Sequence, residues 1–348
     1  VALMRKTKVL PIVLLWILLL LPIYSAQVDK EAANKPRPLE DINDILTWKD
    51  IRIPVISNDG QWFAYRLFPI EGDTEVVIKE TKDKKEYRFP TGEAPRVFYI
   101  SGRELKNAVS RDIFVSDDSK WVAFAIYPER EEAKKLKKQK KKTYHKMGLM
   151  NLTTDESTEF GKVKKFAFSG ENSSWIAIHK YPSENQEQEK KKWKGSDLIL
   201  LELATSKQFN IGNVSEFAFD KKGQWLAWII DAQEKSGNGV QLRNMSTGAI
   251  FPLESDNAVY EKLTWTEKGD GLAVFKGIED DNYEDTLYSV IGFNQFSSDG
   301  PIKVLYDPRA DKDFPENMTI SPNRNPLWTD DVTGILFGIH EVKKKKDK

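Results

Sequence analysis

No cysteine occurs among the 348 residues, so disulfides, thiolate metal sites and a cysteine nucleophile are excluded, and the chain must hold itself together by burial. Histidine is almost as scarce: only His145, His179 and His340 are present, and no His-Glu-x-x-His or similar ligand spacing joins them. Net charge is missing as well, because 53 basic residues balance 53 acidic ones. A dedicated nucleic-acid binder would carry a basic footprint, so that class is set aside. The serine-hydrolase elbow Gly-x-Ser-x-Gly does not occur; Ser169-Gly170 follows Ala167-Phe168, with no glycine at 167.

The one long apolar run, residues 9–21, has 13 residues and contains Pro11. That falls short of the roughly 20 needed to cross a bilayer. With Arg5, Lys6 and Lys8 before it and Tyr24-Ser25-Ala26 after it, the segment 1–26 reads as a secretory signal peptide cleaved after Ala26 rather than an uncleaved anchor. The expected location is therefore exported, periplasmic or extracellular, with no membrane attachment after cleavage. Residues 27–47 form a polar, proline-containing leader. The 40% hydrophobic content, with ten Trp and eighteen Phe, then demands a globular core.

That core is organised by a motif met six times: a short strand, a polar turn, and a second strand opening on Trp or Gly. Two copies are Val55-Ile56-Ser57-Asn58-Asp59-Gly60-Gln61-Trp62 and Phe114-Val115-Ser116-Asp117-Asp118-Ser119-Lys120-Trp121; the others open their second strands at Trp175, Trp225, Gly271 and Gly334. The steps between these positions are 59, 54, 50, 46 and 63 residues. A period near 50 with short strands inside each unit is a β-propeller pattern. Turn-forming clusters such as Leu152-Thr153-Thr154-Asp155, Leu203-Ala204-Thr205-Ser206 and Met245-Ser246-Thr247-Gly248 join a third strand to a fourth. The fold class expected is all-β: a propeller of four-stranded blades over residues 48–341, five complete plus a partial sixth, making an open or incomplete ring. Blades start near residues 52, 112, 164, 214, 260 and 326, and a Lys-rich tail occupies 342–348. Gly60, Gly223 and Gly269 are expected at positive φ in the turns. Trp in the repeat slots is read as core packing.

Candidate chemistry is thin. His145 lies beside a lysine run, and His179 and His340 close second strands at equivalent places; all three read as structural or solvent-facing. The acidic stretch Glu279-Asp280-Asp281-Asn282-Tyr283-Glu284-Asp285 lacks the Asp-x-Asp-x-Asp-Gly order of a Ca²⁺ loop and reads as a solvated hairpin. Lys-rich insertions at 129–142, 184–194 and 341–348 each follow a second strand. In the first of them Glu131 stands four residues before Lys135, which suits an exposed helix and offers a docking site for an acidic partner. Sequons at Asn151, Asn172, Asn213, Asn244 and Asn317 matter only in a glycosylating host. No catalytic, cofactor-binding or metal-binding residue is assigned, and no cofactor is expected.

Four segments carry a family resemblance: Leu46-Thr47-Trp48-Lys49-Asp50-Ile51, Pro54-Val55-Ile56-Ser57-Asn58-Asp59-Gly60-Gln61-Trp62, Glu71-Gly72-Asp73-Thr74-Glu75-Val76 and Trp328-Thr329-Asp330-Asp331. Over about residues 40–341 the chain resembles the N-terminal propeller of exported bacterial serine peptidases of the prolyl oligopeptidase family. The resemblance implies a propeller that covers an α/β-hydrolase domain and admits short peptides, with the Ser-Asp-His triad in the hydrolase domain. That domain has no counterpart in these residues, so no catalytic residue is carried over. The chain is expected to be a truncated product, inactive alone, with the parent's hydrolase domain and peptide substrates as partners. The alternative is a free-standing periplasmic propeller that binds a protein, peptide or glycan on one face.

Overall fold

The computed structural model describes residue 45 and residues 48–95, 99–100, 103–104, 112–183, 193–297 and 299–345. The expected signal peptide, nearly all of the leader, residues 184–192 of the second Lys-rich insertion and the end of the tail lie outside these. Two units are separable, residues 1–48 and 49–348. Of the first, the described part is a turn in which the Trp48 amide donates to Ile45 O at 3.1 Å.

The second unit is a series of antiparallel sheets. Blade one comprises Lys49–Ile56, Trp62–Pro69, Glu75–Glu80 and Glu86–Pro90, paired in chain order. The short strands Tyr99–Ile100 and Arg103–Glu104 pair with each other before blade two, which is built from Ile113–Val115, Trp121–Ile126, Lys146–Asn151 and Ser157–Phe160. Blades three and four are fused. Val163–Phe168, Trp175–Lys180 and Ser196–Glu202 lead into Gln208–Phe219, which runs on into Trp225–Ile230, Gly239–Asn244 and Ile250–Ser255 as one seven-stranded sheet. The 12-residue strand Gln208–Phe219 pairs with blade three up to Val214 and with blade four from Val214 onward. Asn213 makes the change of direction at φ 57°. Blade five holds Val259–Trp265, Gly271–Ile278, Leu287–Ser297 and Gly300–Tyr306.

The sixth unit starts earlier than its sequence pattern suggested. Met318–Ile320 pairs with Ile339–Glu341, and Leu327–Trp328 pairs with Ile335–Leu336, so the first strand begins near 318, not 326. Pro322 and Pro326 separate its two parts; neither has an amide to donate, and the ladder breaks between them. Among the described residues no strand of this unit is laddered to blade one.

The second strands of blades two to five are covered on both faces, and the side-chain alternation shows how. Val122 and Phe124 pack with Trp62, Ala64, Val76 and Ile78 of blade one, whereas Ala123 packs with Ile176 and Ile178 of blade three. Ala177 faces Leu226 and Trp228 of blade four, and Ala227 and Ile229 face Leu272 and Val274 of blade five. Phe275 and Val290 meet Ile320 of the sixth. A core layer thus lies between every pair of successive blades, the propeller arrangement.

The polar turn is held by one side chain in every unit. The amides of Trp62, Trp121 and Trp175 donate to Ser57, Ser116 and Ser169 Oγ at 2.9, 3.0 and 3.1 Å. Trp225 donates to Asp220 Oδ1 at 2.6 Å, and Gly271 and Gly334 donate to Thr266 and Thr329 Oγ1 at 3.1 Å. Gly60, Gly223 and Gly269 take φ of 69°, 70° and 72°, as the turn requires. Gly271 and Gly292 have a different reason to be glycine: a Cβ would come within 2.9 and 2.4 Å of the Trp328 ring, which is seated there.

Two stability outcomes follow. Ser116→Ala strands the half-buried Trp121 amide and is expected to cost about 1 kcal/mol, and Trp228→Ala, which empties a fully buried site, about 3–5 kcal/mol. Urea unfolding midpoints at fixed slope measure both; an unchanged midpoint for Ser116→Ala would mean that the turn holds without its lock.

Candidate functional site

Two buried polar residues stand four positions after the residue that opens their second strand: Arg66 in blade one and His179 in blade three. Arg66 is fully buried. Its Nη1 donates to Thr74 and Thr91 Oγ1 at 3.1 and 2.5 Å, and its Nη2 donates to Asp112 Oδ2 at 2.9 Å and Ala125 O at 2.8 Å. Tyr127 OH donates to the same Asp112 oxygen at 2.8 Å, and its ring lies under the guanidinium at 5.3 Å. Burial pulls the Arg66 pKa down, opposed by the Asp112 charge. Burial and the Asp112 charge together push the Tyr127 phenol up, so Tyr127 keeps its proton. The cluster joins blade one to blade two; it is not a reactive centre.

His179 and Ser196 have the spacing of a base and nucleophile, Nε2 to Oγ 2.9 Å. The proton bookkeeping rules that role out. His179 Nε2 is also 2.8 Å from Val214 O, a pure acceptor, so Nε2 carries the hydrogen and donates. Ser196 Oγ in turn donates to Lys180 O at 2.7 Å. Nε2 therefore has no lone pair with which to take the Ser196 proton, which is held by Lys180 O, and both side chains are buried. Burial lowers the His179 pKa to about 4.

The other two histidines differ from this one. His145 stacks edge-on against Tyr127 and Tyr181 at 4.6 and 5.9 Å and is lowered by burial. His340 stands six residues after Gly334, not four, so it is not at the position equivalent to His179. It faces Asp285 Oδ2 at 3.8 Å.

The acidic stretch is not a free hairpin. Tyr283 bridges to Lys344, the Glu284 amide donates to Lys343 O at 2.8 Å, and the Lys345 amide donates to Asn282 O at 2.9 Å. Lys343 N donates to Asp285 Oδ2 at 2.9 Å. The Lys-rich segment thus runs alongside the acidic one, joined by a single β-bridge and these hydrogen bonds, and opposite charges meet. No group of three or more His, Asp or Glu arranged to hold a metal occurs among the described residues. Two sequons have local structural work: Asn151 Oδ1 accepts from the Thr153 and Thr154 amides, and Asn244 Oδ1 from those of Ser246 and Thr247. These are Asx turns at the third-to-fourth hairpins.

A cleft of about 890 Å³ lies beside the Arg66 cluster. Its floor is Tyr127 with Pro90 and Pro128, and one wall is the helix α1 (Arg130–Lys138). Glu129, the residue before α1, makes no side-chain cap; Asp73 of blade one supplies it by accepting from the Arg130 amide at 2.8 Å. Arg130 also pairs with Glu71 and Glu93 at 3.3 and 3.6 Å, tying α1 to blade one. Within α1, Glu131 pairs with Lys134 at 2.8 Å, not with Lys135 as its spacing suggested. Tyr144 and the lysines after α1 also line it.

By sequence the chain matches no protein-family model and no curated protein. Among solved structures it is similar to a prolyl endopeptidase, with 12% identity over 93% of this chain and 44% of that one at a TM-score of 0.42. It is also similar to the β-propeller domain of the Trilobed protease from Pyrococcus furiosus, with 11% identity over 84% and 78% and a TM-score of 0.39. An oligogalacturonate lyase gives 12%, 86% and 78%, and 0.42. The chain thus spans less than half of the prolyl endopeptidase. Likenesses at these identities and scores assign it no activity.

His179 makes stability depend on pH. Its pKa near 4 lies below the ordinary 6.5, so between about 4 and 6.5 the unfolded state binds more protons than the folded one. This contribution is fully present above pH 6.5 and is lost as pH falls through that window, on the order of 3 kcal/mol in all. His179→Gln is expected to flatten the slope between pH 4.5 and 6.5 in denaturant titrations; a slope identical to that of the parent would refute the assignment. Asp112→Ala, which strands buried Arg66, is expected to cost about 3–5 kcal/mol, while Arg66→Met with Asp112→Leu costs less; the same titrations at pH 7.5 compare them.

Proposed function

We propose that this propeller is the non-catalytic, substrate-gating domain of an exported serine peptidase of the prolyl oligopeptidase type. The triad would belong to an α/β-hydrolase partner domain, and short peptides would be the substrates. The observation that carries this reading is the state of His179 and Ser196. They make the one serine–histidine contact among the described residues, and their hydrogens are spent on Lys180 O within blade three and Val214 O at the boundary with blade four. The resemblance of the first blade and its leading segment supplies the family. In such an enzyme the hydrolase brings nucleophile, base and oxyanion donors, while the propeller limits which chains reach them.

A second reading keeps the propeller and drops the peptidase: a free-standing binding protein of the cell envelope. The cleft beside α1 favours it, since an open, tyrosine-floored space held by inter-blade contacts suits a ligand.

The purified chain is expected to release no chromophore from short peptide p-nitroanilides. Turnover that co-purifies with the chain and disappears in Ser196→Ala would overturn the proposal. The DNA past the codon for Lys348 separates the two readings: two more strands and a Gly-x-Ser-x-Gly elbow support the first, and a stop followed by an unrelated gene the second.

A further inference from the structure

The charges around the cleft are sorted by sign. Glu129 and Glu132 stand at the start of α1, and Lys140 and Lys141 just beyond its end; all four are exposed. The other lining charges are largely committed. Asp73 caps α1, Glu159 pairs with Lys146 at 3.3 Å, and Lys162 lies over the Tyr144 ring at 5.2 Å. What is left is an acidic end and a basic end with an aromatic and proline floor between them.

We propose that this cleft binds a short peptide with free termini. The ligand's ammonium lies at Glu129 and Glu132, its carboxylate at Lys140 and Lys141, and its apolar side chains on Tyr127, Pro128 and Tyr144.

Length follows from helix geometry. α1 has nine residues, so at about 1.5 Å per residue it is roughly 13 Å long, and Glu129 and Lys140 flank its two ends. An extended chain advances about 3.3 Å per residue, so four or five residues bridge that span. The site is pre-formed. Tyr127 is fixed by its bond to Asp112, and α1 by Asp73, Glu71 and Glu93. The cost of ordering the protein on binding is correspondingly small. Exposed charge pairs are individually weak, so the selectivity lies in satisfying both ends at once.

The inference does not rest on the peptidase reading: its test measures binding, and hydrolysis or the downstream DNA can decide the other without touching it. The probe is Gly-Phe-Ala-Phe-Gly with free termini, titrated calorimetrically into the whole chain and compared with its N-acetylated, C-amidated form. Blocking both ends is expected to weaken binding by about tenfold, and blocking one end by less. Lys140→Glu with Lys141→Glu is expected to weaken the free peptide several-fold and to leave the C-amidated peptide unchanged. These two lysines are on the surface, and that internal comparison separates charge recognition from misfolding. Equal affinity for free and blocked peptides, the same loss for both peptides in the lysine variant, or no heat at millimolar peptide would each overturn the proposal.

Discussion

The first amide of each second strand, at residues 62, 121, 175, 225, 271 and 334, donates to a side-chain oxygen five or six residues upstream. This bond fixes where the second strand starts against the first. Register in a sheet decides which residues point to which face, and a slip of one residue would exchange them all. In blade two such a slip would put Ala123 against blade one and Val122 and Phe124 against blade three, where the space is shaped for the opposite set. The same turns also touch their neighbours. Asp59 N donates to Ser119 Oγ at 3.2 Å, Asp118 N to Ser173 Oγ at 3.3 Å, and Glu171 N to Lys221 O at 2.9 Å. One local bond therefore sets strand register, the faces of the sheet, and the spacing of successive blades.

Polar residues enter the inter-blade layers where a second strand ends. The fourth residue after the opening position is Arg66, Ala125, His179, Ile229, Phe275 and Gly338 in the six units. Where it is polar it binds the first strand of the following blade or the residue that precedes it: Arg66 takes Asp112, and His179 takes Val214 O. Where it is apolar it packs, as Ile229 does against blade five. An unpaired charge could not occupy this slot, because burial without partners costs several kcal/mol. These residues resemble catalytic groups in type, but their bonds are those of fasteners.

The sequence reveals the repeat because it depends on short-range chemistry. Ser or Thr at the turn, Trp or Gly five or six residues on, and an apolar run beyond are local and repeat in step. What it hides is long-range. Arg66 and Asp112 are 46 residues apart, and nothing near either names the other. The helix α1 shows its charges in sequence, but its cap comes from Asp73, 57 residues upstream. The continuous strand Gln208–Phe219 crosses the blade start expected near 214, because Asn213 at positive φ turns the chain without ending its ladder. The sixth unit's first strand is masked by Pro322 and Pro326. At the candidate cleft, the Lys-rich insertion was visible, but the sorting of its charges around Tyr127 required the third dimension.

The insertions explain why a regular propeller gives so little away about its chemistry. Residues that repeat in all six units are consumed by the frame: the turn oxygens, the opening Trp or Gly, the alternating core. Specific chemistry must come from what does not repeat, and here that is segments following second strands. Two such segments are described in the structure, and each meets its neighbour through charge. The insertion with α1 reaches back to blade one through Asp73, Glu71 and Glu93, and residues 343–345 run along the acidic loop at 282–285. Exposed pairs of this kind contribute little to stability individually, so their organisation is better explained by what they shape. The first shapes a cleft with a sign at each end; the second binds two oppositely charged segments to each other beside a smaller pocket of about 230 Å³ lined by Tyr283 and Val342. The cleft that non-repeating residues shape therefore lies beside blades one and two, next to the buried Arg66 cluster.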